Sequence, residues 1–301
     1  MMDTSRVQIL LSTWNGERWL PELLASLEQQ TFQDWQLLIR DDGSTDQTLR
    51  LLLKWQAEHP EKLAGLLLDG KHLGSKLSFS RLVEASTAPC LMFCDQDDVW
   101  FPEKVALQYT ALRRMEAQYG EDVPLLVHSD LAVVDEARAL LAVSFWDYRN
   151  FDVEQRKQAY LLNNVVTGCA TAFNRTAATL AFPLPLYAME HDRWLALVCA
   201  WFGQILSLPH PLLLYRQHDN NLIGAAPAQL HGLSARVEAW SQQAEVFLHR
   251  FGERLEVQDY KLVEALAGLR YLQGWRRRQH ILHHRLFKQG VLTNLALLLF
   301  A

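Results

Sequence analysis

Four short apolar runs alternate with segments of helical period through the first hundred residues, and this alternation constrains the fold more than any other feature. Residues 7–11, 35–39, 64–68 and 91–94 have strand length. Between them, Trp19, Leu20, Leu23, Leu24 and Leu27 recur at helical spacing, with Pro21 tolerable only in the first turn. Leu49, Leu52, Leu53 and Trp55 mark a second helix, and Phe79, Leu82 and Val83 a third. The alternation predicts an α/β fold with a mostly parallel central sheet and helices on both faces. In such sheets ligands collect at the carboxyl ends of the strands. Thr13, the Asp41-Asp42 pair and Asp95 with Asp97 all fall at those ends.

The fourth run ends in Asp95-Gln96-Asp97-Asp98, three carboxylates in four positions. Like charges at that density repel one another, and at a strand end they are partly desolvated. A bound cation relieves both effects. From a loop, Asp95 and Asp97 can reach one hard metal and leave positions open for phosphate oxygens. Taken alone, the same residues suit a solvated acidic turn with Asp98 capping the next helix.

Half of the 301 residues are apolar and 21% are charged, which leaves no room for extensive disorder. A net charge of −5 argues against a general nucleic-acid binder. The balance is uneven, however. The last 37 residues hold six Lys or Arg and no acid, leaving 23 basic against 34 acidic residues in the first 264. A basic tail on an acidic body implies a partner of its own. Cys90, Cys94, Cys169 and Cys199 form no Cys-x-x-Cys pair and read as reduced thiols of a cytoplasmic protein. No signal peptide is apparent at the N-terminus.

After residue 125 the pattern changes. Residues 125–130 and 132–135 read as two strands around a short connection, and 163–170 as a small-residue loop close to a ligand. The uncharged run 194–215 is interrupted by Gly203, Gln204, Pro209, His210 and Pro211. It reads as a core helix to about Phe202 and a strand at 205–208, not a membrane span. Residues 212–221 are an apolar strand entering a polar loop. Beyond Pro227 the period is helical, which places a boundary near 226: a catalytic-type domain of 1–226 and a helical region of 227–301.

With Thr13-Trp14-Asn15-Gly16, Asp41-Asp42-Gly43-Ser44-Thr45-Asp46 and Asp95-Gln96-Asp97-Asp98 in this order, residues 5 to 225 resemble the family 2 glycosyltransferases, inverting enzymes of the GT-A fold. Asp95-Gln96-Asp97-Asp98-Val99-Trp100, His191-Asp192-Arg193-Trp194 and Tyr215-Arg216-Gln217-His218, followed by Asn221 and Gly224, are most similar to bacterial rhamnosyltransferases using dTDP-L-rhamnose for cell-surface polysaccharides. The resemblance implies a nucleotide-sugar donor and a glycan or lipid-linked acceptor. It makes Asp41 the base contact, with Thr13, Asn15 and Asp42 beside it and Asp95 at the ribose or metal. Asp97, Asp95 and His218 would hold Mg2+ or Mn2+, and Asp192 would be the general base. Many family members carry Glu-Asp where this chain has His191-Asp192, which displaces the preceding acid to Glu190. Asp130 and Gly168 are candidates for the acceptor and sugar side.

The tail, with Arg276-Arg277-Arg278, suits peripheral contact with the inner face of an anionic membrane or packing on the catalytic domain. Residues 295–300 are too few to span a bilayer. Two other classes remain open at this stage. A nucleotidyltransferase would normally show a Gly-rich, basic loop after the first strand. A non-catalytic nucleotide-sugar binder could keep Asp41 and Asp97 without needing Asp192.

Overall fold

The computed structural model describes residues 6–218 and 233–288, together with 294, 295, 297 and 298. The first half builds four parallel strands, β1 (Val7–Thr13), β2 (Trp35–Asp41), β3 (Leu63–Leu67) and β4 (Cys90–Asp95). They are joined through α1 (Leu20–Glu28), α2 (Thr48–Glu58) and α3 (Ser75–Ala85). Pro21 lies in the first turn of α1, where its missing N–H costs nothing. A short strand β5 (Val99–Trp100) and α4 (Lys104–Tyr119) follow. In the second half come β6 (Leu125–Val134), β7 (Leu140–Ala142), α5 (Phe145–Arg149), β8 (Thr171–Asn174), α6 (Arg175–Ala181), α7 (His191–Phe202) and β9 (Gln204–Arg216). Among the described residues the strands form one sheet in the order β3-β2-β1-β4-β8-β6-β9-β5, with β7 on β6. The sheet is parallel through β4; β8 then runs antiparallel between β4 and β6, and β6 pairs in parallel with β9.

Side chains alternate across the sheet as the two-residue period of a strand requires. Leu10, Leu91, Phe93 and Phe173 face one apolar core with α3, α6 and α7, while Ile9, Leu11, Met92 and Cys94 face the other with α1, α2 and α4. Both faces are covered, so these strands read as continuous apolar runs.

Two segments differ from the expectation. The pair of strands read at 125–135 is a single strand, β6, buried at every residue. The segments at 205–208 and 212–215 are likewise one strand, β9, passing through Pro209 and Pro211. Its register against β6 moves from Ser129 opposite Leu208 to Asp130 opposite Pro211, so Pro209 and His210 form a bulge. A bulge is where a sheet accepts residues that cannot donate to the ladder.

The helical region contains α8 (Leu233–Phe251), α9 (Val257–Gly268) and α10 (Gly274–His284). Phe247 packs edge-on to Trp194 and Trp201 and stacks on Phe202, and Phe251 stacks on Trp194. These helices therefore share the core of α7 and the sheet. The boundary near 226, Asn221, Gly224 and residues 299–300 lie outside the described residues. Among the described residues no helix is long and apolar enough to cross a membrane.

The turn from α7 into β9 depends on Gly203. A Cβ there would stand 1.7 Å from the carbonyl oxygen of Pro124, which is main chain and cannot swing aside. Gly203 also carries the bond from its N–H to the Cys199 carbonyl. Gly203→Ala is expected to cost about 3 kcal/mol, at the upper end of overpacking penalties. Urea unfolding checks this: the midpoint should fall with an unchanged slope.

Candidate active site

The parallel register sets the site. Thr13 lies opposite Asp41 and Ser12 opposite Asp95, so three strand ends reach the same edge of the sheet. Beyond that edge, side chains stitch the loops together. The Gln96 amide makes a reciprocal pair with Trp14, accepting from its N–H and donating to its carbonyl, each at 2.9 Å. A Cβ at Gly16 would lie 2.2 Å from that amide oxygen. Asn15, at a φ of 48°, accepts from Thr45 N at 2.8 Å through its side chain and donates its own N–H to the Ser44 hydroxyl oxygen at 2.9 Å.

A cavity of about 320 Å³ opens at this edge. Thr13, Trp14, Asp42, Asp95 and Asp97 line it from the first half of the chain. Gly168, Glu190, His191, Asp192 and Tyr215 line it from the second. Trp14 is half exposed and lies 4.7 Å from the His72 ring, giving the cavity an aromatic rim.

The charges in this cavity are crowded. Burial lifts the Asp95 carboxyl to about 7, helped by the charges of Asp97 and Asp192. Burial likewise pushes Asp192 up to about 6, against the lowering effect of N–H groups of Arg193 and Gly168 and of the Asn164 side chain. Gly168 N reaches Asp192 Oδ2 at 3.1 Å. Glu190 rises to about 7 by burial and the nearby Asp192 charge. Between these acids, His191 stacks on Phe79 at 4.2 Å, and among the described residues neither ring nitrogen has a hydrogen-bond partner. Burial drops its pKa to about 3, so the ring is neutral at working pH.

By donor chemistry Asp95, Asp97 and His218 suit a divalent ion, but their ligand atoms do not all come within 4.8 Å of one another. Asp95 and Asp97 present carboxylates to the cavity, and His218 Nε2 bonds Asp97 Oδ2 at 2.9 Å while stacking on Trp19. Oxygen-rich donors with one imidazole suit Mg2+ or Mn2+. A second grouping, Asp95 with Asp98 and Cys169, lies close enough to share an ion. It fits a hard ion poorly, because a cysteine sulfur is a soft donor that suits Zn2+ rather than Mg2+ or Mn2+. Asp98 does not cap the next helix, as the acidic-turn alternative would have it; Glu103 stands at that position. Asp98 is buried, its carboxyl raised by desolvation and by Asp97, and it accepts from Arg216 N at 3.3 Å.

Four expected site residues do not line the cavity; of these, His218 meets it through its bond to Asp97. Asp41 is buried behind the cavity, accepting from Thr13 Oγ1 at 2.9 Å, Ser44 N at 2.9 Å and Ser44 Oγ at 2.6 Å. The wall position falls to Asp42, because adjacent residues at a strand end point opposite ways. Asn15 clasps the first two loops, as described. Asp130 is placed in β6, where its carboxylate accepts from Leu131, Phe145 and Trp146 N–H groups and the Ser144 hydroxyl, fixing the start of α5.

Gln96, Glu190 and Arg216 are site residues for which the sequence reading assigned no role. Arg216 is 2% exposed, donates through Nε to the Asp97 carbonyl at 2.9 Å, and pairs with Glu22. It holds the main chain of the acidic loop. A buried cation following Tyr215 in an apolar strand was the available signal.

The Glycosyl transferase family 2 profile matches residues 8–179, more than half of the chain. An uncharacterised glycosyltransferase of Nostoc sp. is 25% identical over 317 residues, covering 95% of each protein. A dTDP-rhamnosyl transferase of Shigella flexneri is 26% identical over 230 residues, 71% of this chain and 74% of the relative. In fold, the chain is similar to the mannosyltransferase PcManGT of Pyrobaculum calidifontis, solved with GDP-Man and Mn2+. That likeness has a TM-score of 0.56 at 14% identity and covers 98% of this chain and 84% of the other. Strand ends, acidic cavity and profile agree: the chain belongs to glycosyl transferase family 2, enzymes of the GT-A fold that move a sugar from a nucleotide-sugar donor.

Proposed function

We propose that this enzyme transfers L-rhamnose from dTDP-L-rhamnose, with inversion, to a hydroxyl of a cell-surface glycan or lipid-linked oligosaccharide. One observation carries the transfer reading: Asp192, distant in sequence from Asp95 and Asp97, lines one cavity with them at the carboxyl edge of the sheet. The choice of rhamnose is supported by the kinship with the Shigella enzyme and by the Asp192 and His218 motifs.

In this reading the half-exposed Trp14 offers its face to the base, with Thr13 and Asp42 beside it, while Asp41 and Asn15 hold the two loops that form this end. Asp97 and Asp95, with His218, would hold Mg2+ or Mn2+, and the bound ion supplies positive charge against the departing diphosphate. Asp192 takes the proton from the acceptor hydroxyl. That oxygen forms its bond to the anomeric carbon as the bond to the diphosphate breaks on the opposite face. Nucleoside diphosphate leaves, and the proton stays on Asp192 until solvent removes it. Gly168 keeps this corner open, since a Cβ there would lie 2.9 Å from His191 Nε2.

Residues 1–226 form the catalytic unit in this scheme, and 227–301 a helical extension. Tyr271 and Trp275 are each 67% exposed and lie beside Arg276-Arg277-Arg278, a combination that favours peripheral contact with the cytoplasmic face of a membrane.

A thermal-shift panel of dTDP- and UDP-sugars tests the donor. A sugar nucleotide at a hundred times its Kd adds about 2.7 kcal/mol, a rise of roughly 5 °C. dTDP-rhamnose is expected to give that rise with Mg2+ or Mn2+ and much less after chelation. Preference for a UDP-hexose would overturn the choice of sugar, and silence across the panel would overturn donor binding.

A further inference from the structure

A second cavity, of about 220 Å³, adjoins the first. Arg149, Arg193, Arg236 and Lys288 line it from four separate segments, with Asn164 and Trp240. No carboxylate among the described residues lines it. Among the described residues Arg193, Arg236 and Lys288 form no ion pair, and the buried Nε of Arg193 has no hydrogen-bond partner. Lys288 instead lies 4.8 Å above the Trp240 ring. Burial, and after it the charges of Arg193, Arg236 and Arg149, depress the Lys288 ammonium to about 8. Arg193, Arg236 and Lys288 gathered on one small volume repel one another, and the acids Asp192 and Glu190 across the wall offset this for Arg193.

The two cavities share a wall. At the start of α7, Met189 and Arg193 face the basic cavity, while Glu190, His191 and Asp192 face the acidic one. Asn164 lines the basic cavity, and its side chain acts to lower the pKa of the Asp192 carboxyl across the wall. A molecule held by an anionic group in the basic cavity therefore has the candidate base as its neighbour. Guanidinium forks with an ammonium are matched to phosphate oxygens.

We propose that the basic cavity binds a phosphate or diphosphate carried by the acceptor, and so holds the accepting sugar against Asp192. This deepens the transfer reading and rests on Asp192 being its base. The acceptor class that follows is a phosphate-bearing glycan, either joined to a lipid through its phosphate or carrying phosphate within a soluble chain.

Calorimetry on the full chain, saturated with dTDP or UDP and Mg2+, tests this with inorganic phosphate, citronellyl phosphate and citronellol as probes. Both phosphates are expected to bind alongside the nucleotide, and citronellol not at all. Arg236→Gln with Lys288→Gln should weaken phosphate binding at least about tenfold, as loss of charge-assisted bonds does. The charge-keeping pair Arg236→Lys with Lys288→Arg should retain most of it. Nucleotide affinity should stay within about twofold in both variants, which also reports that they fold. Tighter binding of citronellyl phosphate than of inorganic phosphate points to the lipid-linked source; equal binding supports the site with a soluble phosphoglycan. Phosphate binding that is absent while nucleotide binds, or unchanged in the Gln pair, overturns the proposal and leaves the transfer reading standing. Failure of the wild-type chain to bind any nucleotide strikes the transfer reading instead.

Discussion

Asp192→Asn is expected to lower the transfer rate by about 10²- to 10⁴-fold, the usual contribution of a positioned general base. Nucleotide-sugar affinity should change little, because Asp192 lies on the side of the cavity built by the second half of the chain. The amide keeps the shape but cannot take the acceptor's proton. The wild-type pH profile should carry the same signature. Asp192 titrates near 6 because burial disfavours its charge, and only the ionised form is a base. kcat/KM should therefore fall as pH drops through about 6, and that limb should vanish in the variant. Stability runs the opposite way. The folded carboxyl holds its proton at higher pH than its ordinary value of 3.8, so native stability declines as pH rises from about 3.8 to 6. Glu190 is the rival, since it lines the same cavity and titrates near 7. Glu190→Gln should cost much less than Asp192→Asn in a steady-state assay. The reverse order would move the base to Glu190.

The parallel half of the sheet was readable because strand–helix alternation fixes both the faces and the edge to which polar ends must come. Asp95 and Asp97 were placed at that edge for that reason, whereas Asp192, on α7, was named only through the family resemblance. The distinction between Asp41 and Asp42 was not. One step along a strand reverses the side chain, and two adjacent aspartates have equal claim on the cavity until the register with Thr13 is known. Asp130 was misplaced through a different gap. Reading 125–135 as two strands put it near a loop, whereas an unbroken β6 makes it the anchor of α5. The prolines of β9 concealed a continuous strand, because only its bulge against β6 lets them stay. The basic cavity left no local trace at all. Its four cations lie at 149, 193, 236 and 288, and no motif joins residues brought together only by packing of the C-terminal helices on α7.

Arg40→Met is expected to destabilise the fold by about 3–5 kcal/mol, the cost of leaving a buried charge without its partner. Arg40 is 1% exposed and pairs with the equally buried Asp42. Its other bonds run to Ser78 Oγ at 3.1 Å, Asp69 Oδ1 at 2.8 Å and the Lys71 carbonyl at 2.9 Å. Asp42 in turn accepts from Leu73 N at 2.8 Å and Gly74 N at 2.7 Å. One ion pair thus ties the end of β2 to the loop before α3, and that loop supplies His72 and Gly74 to the cavity. Removing the cation leaves Asp42 to be hydrated or protonated, and either change loosens the loop. Donor affinity should fall together with the urea midpoint. Arg40→Lys restores the charge but not the fork, so it should recover only part of the loss. Adding Asp42→Asn to Arg40→Met removes the stranded charge, and the double variant should be more stable than Arg40→Met alone. If Arg40→Met unfolds within about 1 kcal/mol of wild type, this pair does not organise the nucleotide end of the site.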